Sequence, residues 1–175
     1  MDRSSFFIAM KPPCRVAREI GWWRDSARSG ARPVRDELLH ITLCHLGLFP
    51  VSNDPVADVR KALRGFAAAP CRVVFDLLTG GSGSGLLASS ERLERLMGLQ
   101  SRIASRLRQS GLLPSRAYRF SPHVTLFYDR AFSGSSPIDP ISWTVYEIIL
   151  VESVIGQGRH ISHQSWPLVG EAGKA

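Results

Sequence analysis

Two segments of this 175-residue chain have the same pattern, His-x-Thr-Leu, at residues 40–43 and 123–126. Successive side chains of a β-strand point to opposite faces, so residues two apart point the same way. His40 therefore shares a face with Thr42, and His123 shares a face with Thr125, while the residues between them can pack into a core. Each strand offers one imidazole and one hydroxyl to the same space, which predicts a fold that brings the two strands together.

The segments around the two patterns also repeat. The order strand, helix, His-x-Thr strand occurs at residues 6–10, 14–29 and 37–46, and again at residues 86–88, 90–110 and 121–128. We therefore predict an α+β fold with two lobes related by an approximate twofold axis, in which antiparallel sheets flanked by helices surround a central cleft. The length of the chain predicts one domain over residues 1–175, made of two intertwined lobes.

Local signals predict the remaining elements. Asp54 and Pro55 indicate a helix start, since aspartate caps a helix and proline suits its first position. A strand at residues 71–78 and the glycine- and serine-rich run at 80–85 are typical of an antiparallel hairpin. The run lacks the Gly-Lys-Ser/Thr ending of a phosphate-binding P-loop. The prediction is completed by a loop, a strand and a last extended piece at residues 133–137, 143–153 and 165–168.

The chain has a formal net charge of +7, with 22 lysine and arginine residues against 15 aspartate and glutamate residues. A polyanionic partner and an arginine-rich composition without functional meaning both explain this charge, and the sequence leaves the two open. No apolar run approaches the roughly 20 residues of a membrane helix. The three cysteines are too scattered for a disulfide framework or a zinc ribbon. We expect a cytoplasmic protein that does not enter a membrane.

Two imidazoles and two hydroxyls suit the hydrolysis of a cyclic phosphodiester without a metal. One histidine, charged, donates a proton to the leaving ribose oxygen, while the other, neutral, takes a proton from the attacking water. Histidine suits both tasks because its unperturbed pKa is about 6.5. The hydroxyls of Thr42 and Thr125 can hydrogen-bond the non-bridging phosphate oxygens. A single His-x-Thr pattern would carry little weight, but two copies at matching places of a repeated unit favour a catalytic pair.

These segments resemble those of a known family, the 2H phosphoesterases, and within it the LigT-like RNA 2′,3′-cyclic phosphodiesterases, also called 2′-5′ RNA ligases. The resemblance covers nearly the whole chain. It rests on the segments Phe-Phe-Ile-Ala-Met-Lys-Pro-Pro at 6–13, Leu-His-Ile-Thr-Leu at 39–43, Leu-Gly at 46–47, Phe-Ser-Pro-His-Val-Thr-Leu at 120–126, Val-Glu-Ser at 151–153 and Trp-Pro-Leu at 166–168.

The resemblance implies a bilobal antiparallel fold with a basic groove that opens a terminal 2′,3′-cyclic phosphate of RNA to a 2′-phosphate, with no metal or other cofactor. By position, His40 would donate a proton to the leaving 3′ oxygen, His123 would act on water as the base, and Thr42 and Thr125 would hold the phosphate. The expected partner is an RNA end or a cyclic nucleotide, and the expected state is a monomer. Ligation of 2′-5′ ends is the reverse reaction. Two alternatives stay open: a module that binds nucleotides or RNA without turnover, and a phosphodiesterase for a small nucleotide such as ADP-ribose 1″,2″-cyclic phosphate.

The chain also departs from the family pattern. Many members continue the second motif with a small residue and an arginine, whereas this chain has Phe127 and Tyr128, and Arg130 comes later. A tyrosine that is common near the closing strand is replaced around His160. Phe7, Tyr128 and Trp166 are the aromatic candidates for stacking on a base.

Simple strand alternation makes predictions for the other histidines. It places His45 on the face opposite His40, which indicates a structural role. It also places His160 and His163 on opposite faces, which argues against a metal pair.

Overall fold

The computed structural model describes residues 3–27, 32–50, 53–81, 83–114 and 119–170. Within these ranges the chain forms three α-helices, α1 (Cys14–Ala27), α2 (Val56–Ala62) and α3 (Glu94–Gln109). The nine strands of the same ranges are β1 (Arg3–Met10), β2 (Arg32–Pro33), β3 (Ile41–Pro50), β4 (Cys71–Gly81), β5 (Ser84–Ala88), β6 (His123–Tyr128), β7 (Ser135–Val145), β8 (Glu147–Val154) and β9 (Arg159–Pro167). A short 3₁₀ turn (Asp36–Leu38) lies shortly before β3.

The strands form one antiparallel sheet in the order β7-β4-β5-β6-β3-β1-β8-β9, with the short β2 paired to β6. This order is symmetric about the junction of β6 and β3. In each half, a His-x-Thr strand lies at the centre, the strand that precedes a long helix lies next to it, and two more strands lie outside. The two predicted lobes are therefore the two halves of one sheet, and the predicted α+β fold is confirmed.

The helices cover one face of the sheet and leave the other face open. Ile20 of α1, Val59 of α2 and Ile103 of α3 belong to one core cluster. This cluster also contains the side chains of β1, β3 and β6 that point toward the helices, among them Phe6, Ile8, Met10, Ile41, Leu43, Val124 and Leu126. The opposite face carries a separate small apolar cluster that consists of Phe7, Ala9, Ile149 and Val151. Every second side chain of these strands points to the uncovered face and is therefore available for a site there.

Most local predictions are confirmed. The glycine-rich run joins β4 to β5 in an antiparallel hairpin whose last pair is Gly81 with Ser84. The Asp54 carboxylate accepts a hydrogen bond of 2.9 Å from the N–H of Val56 at the start of α2. The predicted helix at residues 14–29 is α1, and its last two predicted residues lie outside the described ranges. The predicted helix at residues 90–110 is the shorter α3.

Two predictions at the closing strands are wrong. The predicted single strand at residues 143–153 is divided at Tyr146, because β7 pairs with β4 in one half of the sheet and β8 pairs with β1 in the other. The predicted loop at residues 133–137 is partly strand, since β7 begins at Ser135 and Pro137 pairs with Leu77. The sheet tolerates proline here because β7 is an edge strand.

Gly85 of β5 gives the first testable prediction. It pairs with Phe127, and a Cβ atom at Gly85 would lie 2.2 Å from the ring, which is fully buried and cannot move aside. We expect Gly85→Ala to lower the free energy of unfolding by about 1–3 kcal/mol through overpacking. In the control Gly98→Ala, the added Cβ at an exposed position of α3 meets no atom within 4 Å, so we expect the free energy of unfolding to rise by about 0.5–1 kcal/mol. Urea unfolding measures both, and equal values for the two variants would contradict the close contact.

Candidate active site

The two His-x-Thr segments meet where the two halves of the sheet join. Ile41 of β3 pairs with Val124 of β6 in an antiparallel register. Because antiparallel neighbours run in opposite directions, this pair sets the His40 position beside Thr125 and the Thr42 position beside His123. Ile41 and Val124 are fully buried in the core. The four predicted site residues therefore lie together on the uncovered face of the sheet.

Each of the two histidine rings is held by a hydrogen bond to a backbone carbonyl, and the two bonds are of the same kind. Nδ1 of His40 lies 2.6 Å from the carbonyl oxygen of Leu38, and Nδ1 of His123 lies 2.8 Å from that of Ser121. A carbonyl can only accept, so each Nδ1 carries the hydrogen and donates it two residues back along the chain. This bond sets the ring orientation and the tautomer, and it leaves each Nε2 to accept or donate a proton.

A charged anchor fixes the segment that leads to His40. The buried guanidinium of Arg24 in α1 donates hydrogen bonds of 2.6 Å to the carbonyl oxygen of Val34 and to a carboxylate oxygen of Asp36. Arg35, next in the chain, donates a bond of 2.6 Å to the carbonyl oxygen of Gly158 in the turn between β8 and β9. The segment before His40 is thereby tied both to a helix and to the far edge of the same half of the sheet.

A β-bulge follows the first His-x-Thr pattern. Along β1, Ala9 pairs with Thr42 but the next residue, Ile8, pairs with Cys44, so Leu43 is the extra residue of the bulge. Both Leu43 and Cys44 are buried, and the alternation of the strand is shifted by one from that point. His45 therefore lies on the same face as His40, and the prediction of the opposite face is wrong.

The second His-x-Thr strand contains the same kind of β-bulge. Along β5, Leu86 pairs with Thr125 but Gly85 pairs with Phe127, so Leu126 is the extra residue. Leu126 and Phe127 are both buried, and Tyr128 then lies on the uncovered face with 55% of its surface exposed. The two halves therefore each present a third side chain to the site, His45 in one and Tyr128 in the other. Strand alternation placed His45 on the wrong face, and the sequence named Tyr128 only as a candidate for base stacking. Two apolar residues in succession after each Thr are the signal of a bulge.

A cavity of about 390 Å³ lies over these strands, and we call it the central groove. Its lining contains His40, Thr42 and Thr125 of the predicted site. The other lining residues are Ser5, Phe7, Arg32, Pro33, Val34, Leu38, His45, Tyr128, Ser153, Gly158 and His160. His123, which is half-buried, is beside the groove through its strand register but is not among the lining residues. Within the described residues, neither Thr42 nor Thr125 has a hydrogen-bond partner for its hydroxyl, so both can reach a ligand.

The three aromatic candidates for base stacking differ in how exposed their side chains are. Trp166 is 8% exposed and packs in the main core, and Phe7 is 5% exposed with its ring against His40. Tyr128 is the exposed one and lines the groove wall. It also lines an adjoining open cavity of about 600 Å³ together with Arg130. Tyr128 is therefore the aromatic side chain of the three that is open to a base.

His160 and His163 lie on opposite faces of β9, as predicted. His160 lines the groove, and its ring meets that of His40 at 5.2 Å between centroids. His163 donates from Nε2 to Glu152 at 2.7 Å and lies against Phe6, which points toward the helices. Among the described residues, no cluster of histidine, cysteine, aspartate and glutamate side chains has the arrangement of a metal site.

The environment of the groove disfavours charge on two of its histidines. Burial lowers the pKa of His40, the bond to the Leu38 carbonyl opposes this shift, and the charges of Lys11 and His123 lower the pKa further. Burial, followed by the charges of His40 and Lys11, lowers the pKa of His160 to about 4. Nδ1 of His160 is buried and has no hydrogen-bond partner among the described residues. Both imidazoles therefore bind a proton less readily than a free histidine does.

An antiparallel sheet whose two halves each present a His-x-Thr strand to one groove defines the class of 2H phosphoesterases. A family model described as the 2′-5′ RNA ligase superfamily matches residues 12–154, and the chain belongs to that superfamily. The resemblance seen in the motifs is thereby confirmed. None of the curated proteins matches the sequence significantly.

Solved structures show the same fold. E. coli LigT in complex with 3′-AMP is 23% identical with a TM-score of 0.76, and the match covers 95% of this chain and 99% of that one. A crystal structure described only as a phosphoesterase is 24% identical over the same shares, with a TM-score of 0.78. A protein of Thermus thermophilus is 21% identical, again over 95% and 99%, with a TM-score of 0.74. In the part of the chain that the structure describes, no helix combines the length and the apolar character needed to cross a membrane.

The lowered pKa of His160 predicts how stability depends on pH. Its pKa is about 4 in the folded protein and about 6.5 in an unfolded chain. As the pH falls from 6.5 to 4, the unfolded state takes up this proton first, so the folded state loses stability in that window. We expect His160→Phe, which cannot be protonated, to lose less stability than the wild-type protein between pH 7 and pH 5. Urea unfolding at the two pH values measures the difference, and parallel losses would contradict the assignment.

Proposed function

We propose that the protein hydrolyses the terminal 2′,3′-cyclic phosphate of RNA to a 2′-phosphate, with His40 and His123 as a general acid and base pair. The observation that carries the proposal is the paired geometry of the two imidazoles. Each is oriented by a bond from Nδ1 to a backbone carbonyl, and each is placed by the central register beside the threonine of the other motif. The reverse reaction would join RNA ends through a 2′-5′ bond.

The groove supplies what the phosphate needs. The hydroxyls of Thr42 and Thr125 would donate to the non-bridging oxygens, where negative charge increases in the transition state. Arg32 lines the same groove, and the chain carries a net charge of +7, which favours a polyanionic substrate. E. coli LigT, which has the same fold, has been crystallised with 3′-AMP and with phosphate. An anionic nucleotide end is the ligand class that these observations support.

The direct test uses an oligonucleotide that ends in a 2′,3′-cyclic phosphate, with excess chelator. We expect conversion to a 2′-phosphate, because two imidazoles supply both proton transfers and no described cluster of side chains could hold a metal. His40→Ala and His123→Ala should each lower turnover by about 100-fold or more. Thr42→Ala and Thr125→Ala should cost less, since each leaves the other hydroxyl in place.

A matched control comes from the opposite face of the sheet. His163→Gln keeps an N–H that can donate to Glu152 and does not reach the groove, so we expect wild-type turnover. Circular dichroism and thermal unfolding check that each variant is folded. Near-normal turnover in a folded His40 or His123 variant would refute the two-histidine mechanism and favour a module that binds without turnover. Faster turnover of a small cyclic nucleotide than of the oligonucleotide would show that the substrate is a small nucleotide and not an RNA end.

Tyr128 is proposed to stack on the base of the terminal nucleotide. Its ring is exposed in the groove wall on the strand of His123, and base stacking of this kind is worth about 1–3 kcal/mol. We expect Tyr128→Ala to raise KM at least about fivefold, with a smaller effect on kcat, because a contact made in both the ground and transition states changes binding. Tyr128→Phe is the matched control, since it keeps the ring and loses the hydroxyl. Equal effects of the two substitutions would instead assign the role to the hydroxyl.

A further inference from the structure

The pairing between β3 and β6 ends soon after it begins. Within the described residues, the two strands pair at Ile41 and Val124 alone. The backbone carbonyl of Leu43, the extra residue of the bulge, accepts a hydrogen bond of 3.3 Å from the side-chain amide of Gln100 in α3. A side chain of the helix layer therefore reaches the backbone of β3 directly after its pairing with β6 ends.

A small cavity of about 190 Å³ lies at this place, between β3 and the C-terminal half of α3, and we call it the edge pocket. It is lined by Cys44, His45, Gln100, Ala104, Arg108 and residues 113–114. Binding sites for drug-sized molecules are typically about 300–1,000 Å³. The edge pocket is smaller, so it has room for a single flat ring system and not for a whole nucleotide.

The inner wall of the edge pocket is uncharged. Cys44 and Ala104 are buried, and burial raises the pKa of the Cys44 thiol to about 11. Leu113 adds a further apolar side chain. Gln100 is also buried, and its amide nitrogen is bonded to the carbonyl oxygen of Leu43. Mostly apolar walls with few polar groups suit the flat face of a nucleobase.

Arg108 adds a positive charge to the edge pocket. It lies one helical turn after Ala104 on α3 and is half-buried, and its charge acts on the thiol of Cys44. Its guanidinium has no hydrogen bond or ion pair with another described residue, so its N–H donors can reach a ligand. The planar guanidinium is the cation whose donors fit phosphate oxygens in pairs.

His45 joins the edge pocket to the central groove, because it lines both cavities. Its Nε2 lies 2.8 Å from Oγ of Ser5. When the serine hydroxyl donates to Nε2, Nδ1 carries the hydrogen and can donate to a phosphate oxygen. Since β3 and β6 run in opposite directions, His45 and Tyr128 lie at opposite ends of the row of site histidines and threonines. An RNA strand whose last base lies at Tyr128 can therefore leave the groove past His45.

We propose that the edge pocket binds the base of the nucleotide that precedes the RNA end, while His45 and Arg108 donate to the phosphodiester between the two nucleotides. This inference rests on the proposed function, and it narrows the substrate to a chain of at least two nucleotides.

The spacing of the two cavities fits this arrangement. His45 comes three residues after Thr42, and three residues of a strand span about 10 Å. The bulge at Leu43 shortens this distance. One nucleotide unit covers such a distance, so the second nucleotide reaches the edge pocket while the cyclic phosphate lies between Thr42 and Thr125.

The direct test compares uridine 2′,3′-cyclic phosphate with the dinucleotide UpU that carries the same cyclic end. We expect kcat/KM of the wild-type protein to be at least about fivefold higher for the dinucleotide, because one more base is bound. A third substrate keeps the phosphodiester but lacks the first base, and its kcat/KM should fall well below that of UpU. Equal values for the mononucleotide and UpU, or for UpU and the abasic substrate, would overturn the proposal.

Two variants locate the effect. Arg108→Gln removes the charge from the edge pocket, and Ala104→Leu fills the pocket. Each should lower kcat/KM for UpU at least about fivefold through a higher KM and leave the mononucleotide unchanged, because the lost contact is one of binding. Arg15→Gln removes the same charge from an exposed position of α1 and should change neither substrate. Circular dichroism checks the fold, and equal losses on both substrates in a folded Arg108→Gln variant would overturn the proposal.

Binding measurements separate this proposal from the proposed function. If the wild-type protein hydrolyses none of the three substrates, the proposed function fails, and calorimetry then compares UpU that ends in a 3′-phosphate with uridine 3′-phosphate. We expect the dinucleotide to bind more tightly, and the backbone amide signal of Ala104 to shift in NMR spectra with the dinucleotide only. Equal affinities, or an Ala104 signal that does not move, would overturn the edge pocket as a base site.

Discussion

The pairing of Ile41 with Val124 is the contact on which the site depends. It joins the two halves of the sheet, and its two side chains are buried in the core that the helices cover. Because both neighbours of each residue point the other way, the same pair that closes the core also presents both histidines and both threonines to the opposite face. A slip of one residue in either strand would turn the histidine and the threonine of that strand into the core. Stability and the placement of the reactive groups therefore share one register.

The two halves of the sheet share their strand arrangement but differ in some of the side chains that they present to the groove. Each His-x-Thr strand has a bulge one residue after its threonine, and the bulges bring His45 and Tyr128 to the groove. The groove has an imidazole on one side and a phenol ring on the other, so its two sides differ chemically. The rings of Phe7 and His160 contact His40, whereas none of the described aromatic rings contacts His123, and this adds a second asymmetry. A symmetric framework thus holds two similar groups in different electrostatic surroundings.

The sequence predicted those features that depend on short-range patterns. The repeated strand and helix order, the hairpin after β4 and the opposite faces of His160 and His163 follow from alternation and turn chemistry. The face of His45 was wrong because one extra residue, Leu43, is defined by its partner strand and not by its own segment. The break at Tyr146 was missed for a similar reason, since an apolar run does not show that its two parts join different halves of a sheet. The ring contacts of His40 likewise need strands that lie far apart in the sequence.

The position of β8 has a consequence for how the chain acquires its structure. β1 leaves the ribosome long before β8, yet one of its two edges is covered only by that later strand. Until then β1 exposes unpaired backbone groups and apolar side chains, a state that invites association with other chains. Pairings between distant segments are also slow to form. The half of the sheet that is begun first is therefore finished last, because its strands come from two stretches of the chain that the strands of the other half separate.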